Sequence, residues 1–272
     1  MINFRFVKIL FIALLLCACE QAVEFVDIPA EVDFRICESL PTRSGKLDFA
    51  IGDSIGIYAV KRVDANVPAL PGVTSNQAHN VKWIKTVDGW RPASPMDKVV
   101  WTQDGSPLDF YAYYPYQREA VNPEEIILSV QKNQIDEQSF LQSDFLRAVN
   151  AQGMTEGEVE LRFSHALTML EVKLASEQVA ITSDATLVAS EVCTKVALNL
   201  GSGIQTSLET GRVQFFCVNP EDHVYHVILP SQEFADGNAV LQIDVSGIIY
   251  VYALKNLMLQ SGSRQKFEIN LK

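Results

Sequence analysis

Clusters of Lys and Arg are missing from this chain, which carries 22 basic against 33 acidic residues and a formal charge of -11. Nucleic-acid phosphates are bound through such clusters, so nucleic acid is excluded as a partner. The acidity favours solubility outside the cell. Phosphate-binding glycine loops, a Gly-x-Ser-x-Gly nucleophile elbow and the alternating oxygen ligands of a calcium loop are also missing. Only four histidines occur: His79, His165, His223 and His226. On an extended strand His223 and His226 point to opposite faces, as do Ser164 and His165, so neither pair makes a metal site or a nucleophile-base couple. No cofactor, no metal and no catalytic residue is expected.

Long apolar runs are absent too. The stretch from Phe6 to Ala18 is broken by Lys8 and falls short of the roughly 20 residues a spanning helix needs. Its form is that of an export signal: Arg5 and Lys8, an apolar segment from Leu10 to Leu16, then Leu16-Cys17-Ala18-Cys19. A cysteine after a small residue at such a boundary is where lipoprotein signal peptidase cuts. Residues 1–18 are therefore expected to be a signal peptide, with Cys19 lipidated and the protein tied to the outer membrane.

Cysteine is otherwise sparse, with Cys37, Cys193 and Cys217 remaining. In an oxidising compartment Cys193 and Cys217 either pair, since both lie in strand-like runs, or stay as two buried apolar thiols. No spacing fits a zinc or iron-sulfur site.

What the chain has in abundance is short strands. Glu31 to Ile36 alternates charged and apolar residues, placing Val32, Phe34 and Ile36 on one face. The turn-rich Pro41-Thr42-Arg43-Ser44-Gly45 follows. Strand signals then recur over 49–60, 81–86, 99–102, 108–114 and 126–130, with Pro, Gly, Asn and Asp between them. One helix is expected over Gln138 to Asn150, from Phe140, Leu141, Phe145, Leu146 and Val149, and a linker over Gly153 to Gly157. A second strand series runs from Glu158 to Leu271. The pattern predicts an all-β protein of two β-sandwich domains, at 44–150 and 151–272, preceded by a tether and first strand over 19–43.

Several phrases carry a resemblance. Asp48 to Tyr58 (DFAIGDSIGIY), Leu108 to Tyr116 (LDFYAYYPY), Ser143 to Ala148, Leu161 to Val172 (LRFSHALTMLEV) and His226 to Gln232 occur in one order. Together with Ala253-Leu254-Lys255 and the terminal strand, they resemble the elements of Bacteroidetes fimbrillins, across roughly residues 19–272. The resemblance implies two tandem transthyretin-like β-sandwich domains and a role as a structural fimbrial subunit (type V pilin) in adhesion at the cell surface, with other fimbrial subunits as partners and a host or bacterial surface ligand as target.

It further implies assembly by strand exchange. An arginine-specific protease would cut between Arg43 and Ser44 and release the lipidated strand with Val32, Phe34 and Ile36; otherwise Arg43 is a solvated loop residue. The donor strand would come from the carboxyl end, where Phe267, Ile269 and Leu271 alternate; otherwise that strand completes the second sandwich. The rival function is a monomeric surface lipoprotein that binds glycans on the aromatic cluster Phe110, Tyr111, Tyr113, Tyr114 and Tyr116. On a strand, however, that cluster divides between two faces, one toward the core and one toward the surface.

Overall fold

The computed structural model describes residues 29–38, 49–235 and 237–272. Cys19, Arg43 and Ser44 lie outside the described residues. Strands dominate in chain order: β1 (Asp33–Glu38), β2 (Ser54–Lys61), β3 (Ala78–Thr86), β4 (Gly89–Pro92), β5 (Leu108–Tyr114), β6 (Ile126–Ser129), β7 (Leu146–Met154), β8 (Glu158–His165) and β9 (Thr168–Ala175). After them come β10 (Thr186–Leu198), β11 (Gln205–Gln214), β12 (Phe216–Asn219), β13 (Val224–Leu229), β14 (Gln232–Phe234), β15 (Val240–Val245), β16 (Ile248–Ala253), β17 (Leu257–Leu259) and β18 (Arg264–Asn270). A short helix α1 (Glu137–Leu141) and a 3-10 turn at Pro95–Asp97 interrupt them.

The expected all-β sandwich fold is present. A seven-stranded sheet runs β1-β8-β7-β5-β2-β3-β4. The second sandwich sets β11-β10-β15-β16, with β6 on β10, against β12-β13-β9-β18, and β14 pairs with β17. Alternation along β2 and β5 divides their side chains between two cores. Ile55, Ile57, Ala59, Phe110 and Ala112 enter the first, while Tyr58, Val60, Tyr111 and Tyr113 enter the second. Gly56 on β2 lets the Tyr113 ring lie against the backbone, where a Cβ would stand 2.3 Å from Cε1.

Three expectations are corrected. The helix stops at Leu141: Asp136 and Ser139 form a capping box at its start, but Leu146–Asn150 are strand β7, wedged between β5 and β8. Leu146 and Ala148 are both buried there, and ladder pairing on two sides outweighs a short helical pattern. Gly153 to Gly157 spans the end of β7 and the β7–β8 hairpin turn and is not a linker, with both glycines at positive φ. The division expected near residue 150 consequently falls inside the first sheet, which continues to His165, while β6 belongs to the second sandwich.

A buried ion pair braces the first sheet and the loop that follows β2. Arg62 donates to Asp109 through Nε (2.9 Å) and Nη2 (2.8 Å) and to the carbonyls of Ala65 and Ala151. Asp109, fully buried, also accepts from the backbone N–H of Ala69 and Gly153. Gly153 is glycine for space as well as φ, because a Cβ would meet the Arg62 guanidinium at 2.6 Å. The link to the second sandwich is made by Arg147 of β7, which donates to the carbonyls of Leu200 and Gly201, both at 2.6 Å.

Candidate functional site: the edge closed by strand β1

Strand β1 is the outermost strand of the seven-stranded sheet and lies parallel to β8, with Phe34 opposite Val159 and Ile36 opposite Leu161. Its upstream neighbours are held on the other side: Val32 N–H donates to Val99 O (2.8 Å) and Trp101 N–H to Ala30 O (2.9 Å). The segment is therefore clasped between β8 and the strip Val99–Trp101. The alternation read from the sequence is what packs it. Val32 is buried, and Phe34 stands edge-on to Trp83 at 5.0 Å and to Phe110 at 5.5 Å. Ile36 packs on the same core, whose β8 contribution, Val159, Leu161 and Phe163, has no exposed surface.

That Phe34 reaches Trp83 has a geometric meaning. β1 and β3 are far apart in sheet order, so the sheet curls until its two ends meet over one core, and β1 closes the gap. Outside, Arg35 bridges Glu158 (3.4 Å) and Glu160, and Lys98 pairs with Glu31. These exposed pairs contribute little to stability. The seat is held by its apolar face and its backbone ladder. Trp83 and the Val99–Trp101 strip were not recognisable as parts of this seat from sequence, because what assigns them is the curl of the sheet.

The carboxyl-terminal strand is placed in the same manner. β18 lies parallel to β9 at the edge of its sheet, with Phe267 opposite Val172 and Ile269 opposite Leu174. Leu271 is buried, Ile269 packs on the core, and Phe267 is 37% exposed. Here Ile269 and Leu271 complete their own sandwich, and Phe267 stays at its surface. Glu171 of β9 anchors the strand: it accepts from Arg264, from Lys266 at 3.1 Å and from His226 Nε2 at 2.7 Å. Burial pushes the Glu171 carboxyl up, but these three donors outweigh it and hold the group at about 2. Burial lowers His226, and its bond to Glu171 does not fully offset that.

Both shifts act in the same direction. A carboxylate depressed in the fold stabilises above its ordinary range near 4.5, and that contribution is lost as the pH falls toward 2. His226, depressed from 6.5, adds a loss that begins as the pH drops below that value. Acidification from pH 7 to pH 3 is expected to accelerate amide exchange in β18, with a cost of at most about 3 kcal/mol from Glu171. Glu171→Gln should show the fast exchange already at pH 7. Unchanged β18 protection in that variant would contradict the anchoring role.

The other candidate residues serve the interior. Cys193 and Cys217 are free thiols on β10 and β12, in different sheets; Cys193 bonds with Ser207 Oγ at 3.2 Å. His165, buried, bonds Asp144 Oδ1 at 2.8 Å, while Ser164 faces outward, bonded to Arg147 O. Phe110, Tyr111 and Tyr113 are buried, so these rings present no face to a sugar. The hydroxyls of Tyr111 and Tyr113 donate to Ala69 O and Asn80 Oδ1. Contrary to expectation, the aromatic cluster does not divide between core and surface, because the second sandwich covers the back of the sheet. Among the described residues no group of three or more His, Cys, Asp or Glu comes together, and no helix is long and apolar enough to cross a membrane.

The fold is a two-sandwich β protein whose first core is closed by strand β1. The profile of the fimbrillin-like family matches residues 42–272, and the chain belongs to that family. No curated protein matches it in sequence. Its fold is similar to that of a candidate cell adhesion protein from Bacteroides uniformis, at 19% identity and a TM-score of 0.64 over 89% of this chain and 93% of that one. It is also similar to a fimbrial protein from Bacteroides vulgatus, at 13% identity and 0.54 over 89% and 95%. A fimbrial protein from Bacteroides ovatus matches at 16% identity and 0.53 over 90% of this chain and 51% of that one. As a member of the fimbrillin-like family the chain is a structural fimbrial subunit and not an enzyme.

Proposed function

We propose that this fimbrial subunit is exported as a lipoprotein acylated at Cys19, held at the outer membrane, cut between Arg43 and Ser44, and joined to another subunit by a strand that takes the place of β1. One observation carries this reading. Three apolar side chains, Val32, Phe34 and Ile36, close a core from a strand whose covalent link to the remaining fold runs through residues 39–48, where Arg43 stands. A single cut there frees β1 from the chain, and its departure leaves the β8 ladder and the Val99–Trp101 strip unpaired, a ready acceptor for an extended segment.

The incoming strand must alternate apolar residues and run parallel to β8. β18 has both properties, since Phe267, Ile269 and Leu271 alternate and the strand already pairs parallel with β9. The β18 of a second subunit, released from its own sheet, is accordingly the donor we favour. Contact of the assembled fibre with a host or bacterial surface ligand would accomplish adhesion.

The test is amino-terminal sequencing of protein recovered from the cell surface. The expected start is Ser44, and Arg43→Ala should retain lipidated Cys19 and lose the denaturant-resistant ladder of polymers. A palmitate label should survive Cys17→Ser and vanish in Cys19→Ser. An Arg43→Ala protein with an unchanged surface amino terminus would exclude this cleavage site.

A further inference from the structure

Among the described residues the sheet edges are protected, with one exception; β6, β14 and β17 also have an open side but are only three or four residues long. β1, β4, β11 and β18 carry charged residues, among them Arg35, Arg91, Glu209 and Lys266, and β12 is four residues long with a break in its register. Charges, short length and bulges are the devices that keep an edge from pairing with another chain. β16 has none of them. It spans six residues, Ile248–Ala253, contains no charge and no proline, and runs in unbroken register with β15. It ends its sheet, with no strand among the described residues on its second side. Ile249 is 63% exposed and Val251 58%.

The backbone of β16 is directed accordingly. Leu254 N–H donates inward to Ala239 O at 2.9 Å. Alternation of antiparallel bonding then turns the N–H and C=O of Ala253, Val251 and Ile249 toward the open edge. The side chains of Ile249 and Val251 stand on the outer face, while Tyr250 and Tyr252 pack on the core. An edge with free donors, free acceptors and apolar side chains is chemically specific for an extended, uncharged strand.

We propose that this edge joins two copies of the chain through antiparallel pairing of β16 with β16. Net charge selects the approach: at -11 two copies repel, and residues 245–254 form an uncharged stretch at which they meet with least repulsion. Symmetry selects the register. A two-fold axis through Val251 sets residues of equal parity opposite each other, so the outer faces stay aligned and every outward-facing group of Ile249, Val251 and Ala253 is bonded. It also sets Lys255 of each copy opposite Gly247 of the other, whose N–H donates to Asp244 Oδ1. This contact uses neither the β1 seat nor β18, and it stands apart from strand exchange, whether or not residue 43 is cut.

Sedimentation equilibrium of the chain from residue 20 onward, across about 1–200 µM, tests it. The expected result is a reversible dimer that Ile249→Lys and Val251→Lys each weaken by at least about tenfold, with Leu208→Lys, on the opposite edge, leaving it intact. Both positions tested are exposed, so the variants should keep the wild-type thermal midpoint. A monomer throughout, a dimer indifferent to both lysines, or one weakened equally by Leu208→Lys would overturn the proposal. So would a monomer whose Ile249 and Val251 amides are protected from exchange, since that would place the chain's own amino-terminal segment on the edge.

Discussion

Cutting the chain at Arg43 and removing the fragment that carries β1 should lower its stability by about 5–8 kcal/mol, the transfer free energy of three buried apolar side chains. For a chain of this size that corresponds to a fall of about 10–30 °C in thermal midpoint. Binding of an apolar dye should rise together with it, because Trp83, Phe110 and the buried face of β8 lose their cover. The informative step is the reversal. A synthetic peptide of residues 29–38 should restore the midpoint, and the same peptide with Phe34→Asp should not. If the trimmed protein keeps the midpoint of the intact one, β1 is no structural part of the first core and the acceptor groove does not exist.

Asp109→Ala should be the most damaging single substitution in the described structure, at about 3–5 kcal/mol. The carboxylate accepts two bonds from Arg62 and one each from the amides of Ala69 and Gly153, all inside the protein. Its loss strands a buried guanidinium and frees the loop that begins at Arg62. Tyr111 Oη bonds Ala69 O in that loop, and Ala69 packs on the second core, so the two sandwiches lose a packing contact as well. The effect should reach both cores, seen as amide exchange rising in β2, β5 and β10 together. A variant that destabilises only the first sheet would show that the pair does not couple them. Asp109→Asn, which keeps the shape and part of the bonding, should cost less.

Much of this arrangement was legible in advance where a single period governed the residues. The alternation of Val32, Phe34 and Ile36 is a local property, and it placed the strand and its buried face correctly. The partition of Phe110 and Ala112 from Tyr111 and Tyr113 was legible for the same reason. What failed were segments whose local pattern fits two structures. Phe145, Leu146 and Val149 satisfy a helical spacing, yet β5 and β8 pair with the segment Leu146–Ala148 along its two sides, and the ladder prevails. Gly153 and Gly157 mark flexibility equally well in a linker and in a tight hairpin, and only the pairing of the flanking strands distinguishes them. Glu171, one of 33 acidic residues, acquires its role because β13 and β18 arrive on either side of β9.

The sequence by itself determined the fold class, the buried face of the first strand and the fimbrillin resemblance, since side-chain alternation and turn chemistry act over a few neighbouring residues. Tertiary structure alone decided what that strand closes, why both faces of the aromatic strand are buried, and which edge is left unguarded. Each of these depends on contacts between residues far apart in the chain, and the curl of a sheet and the order of its strands are not written in any local period.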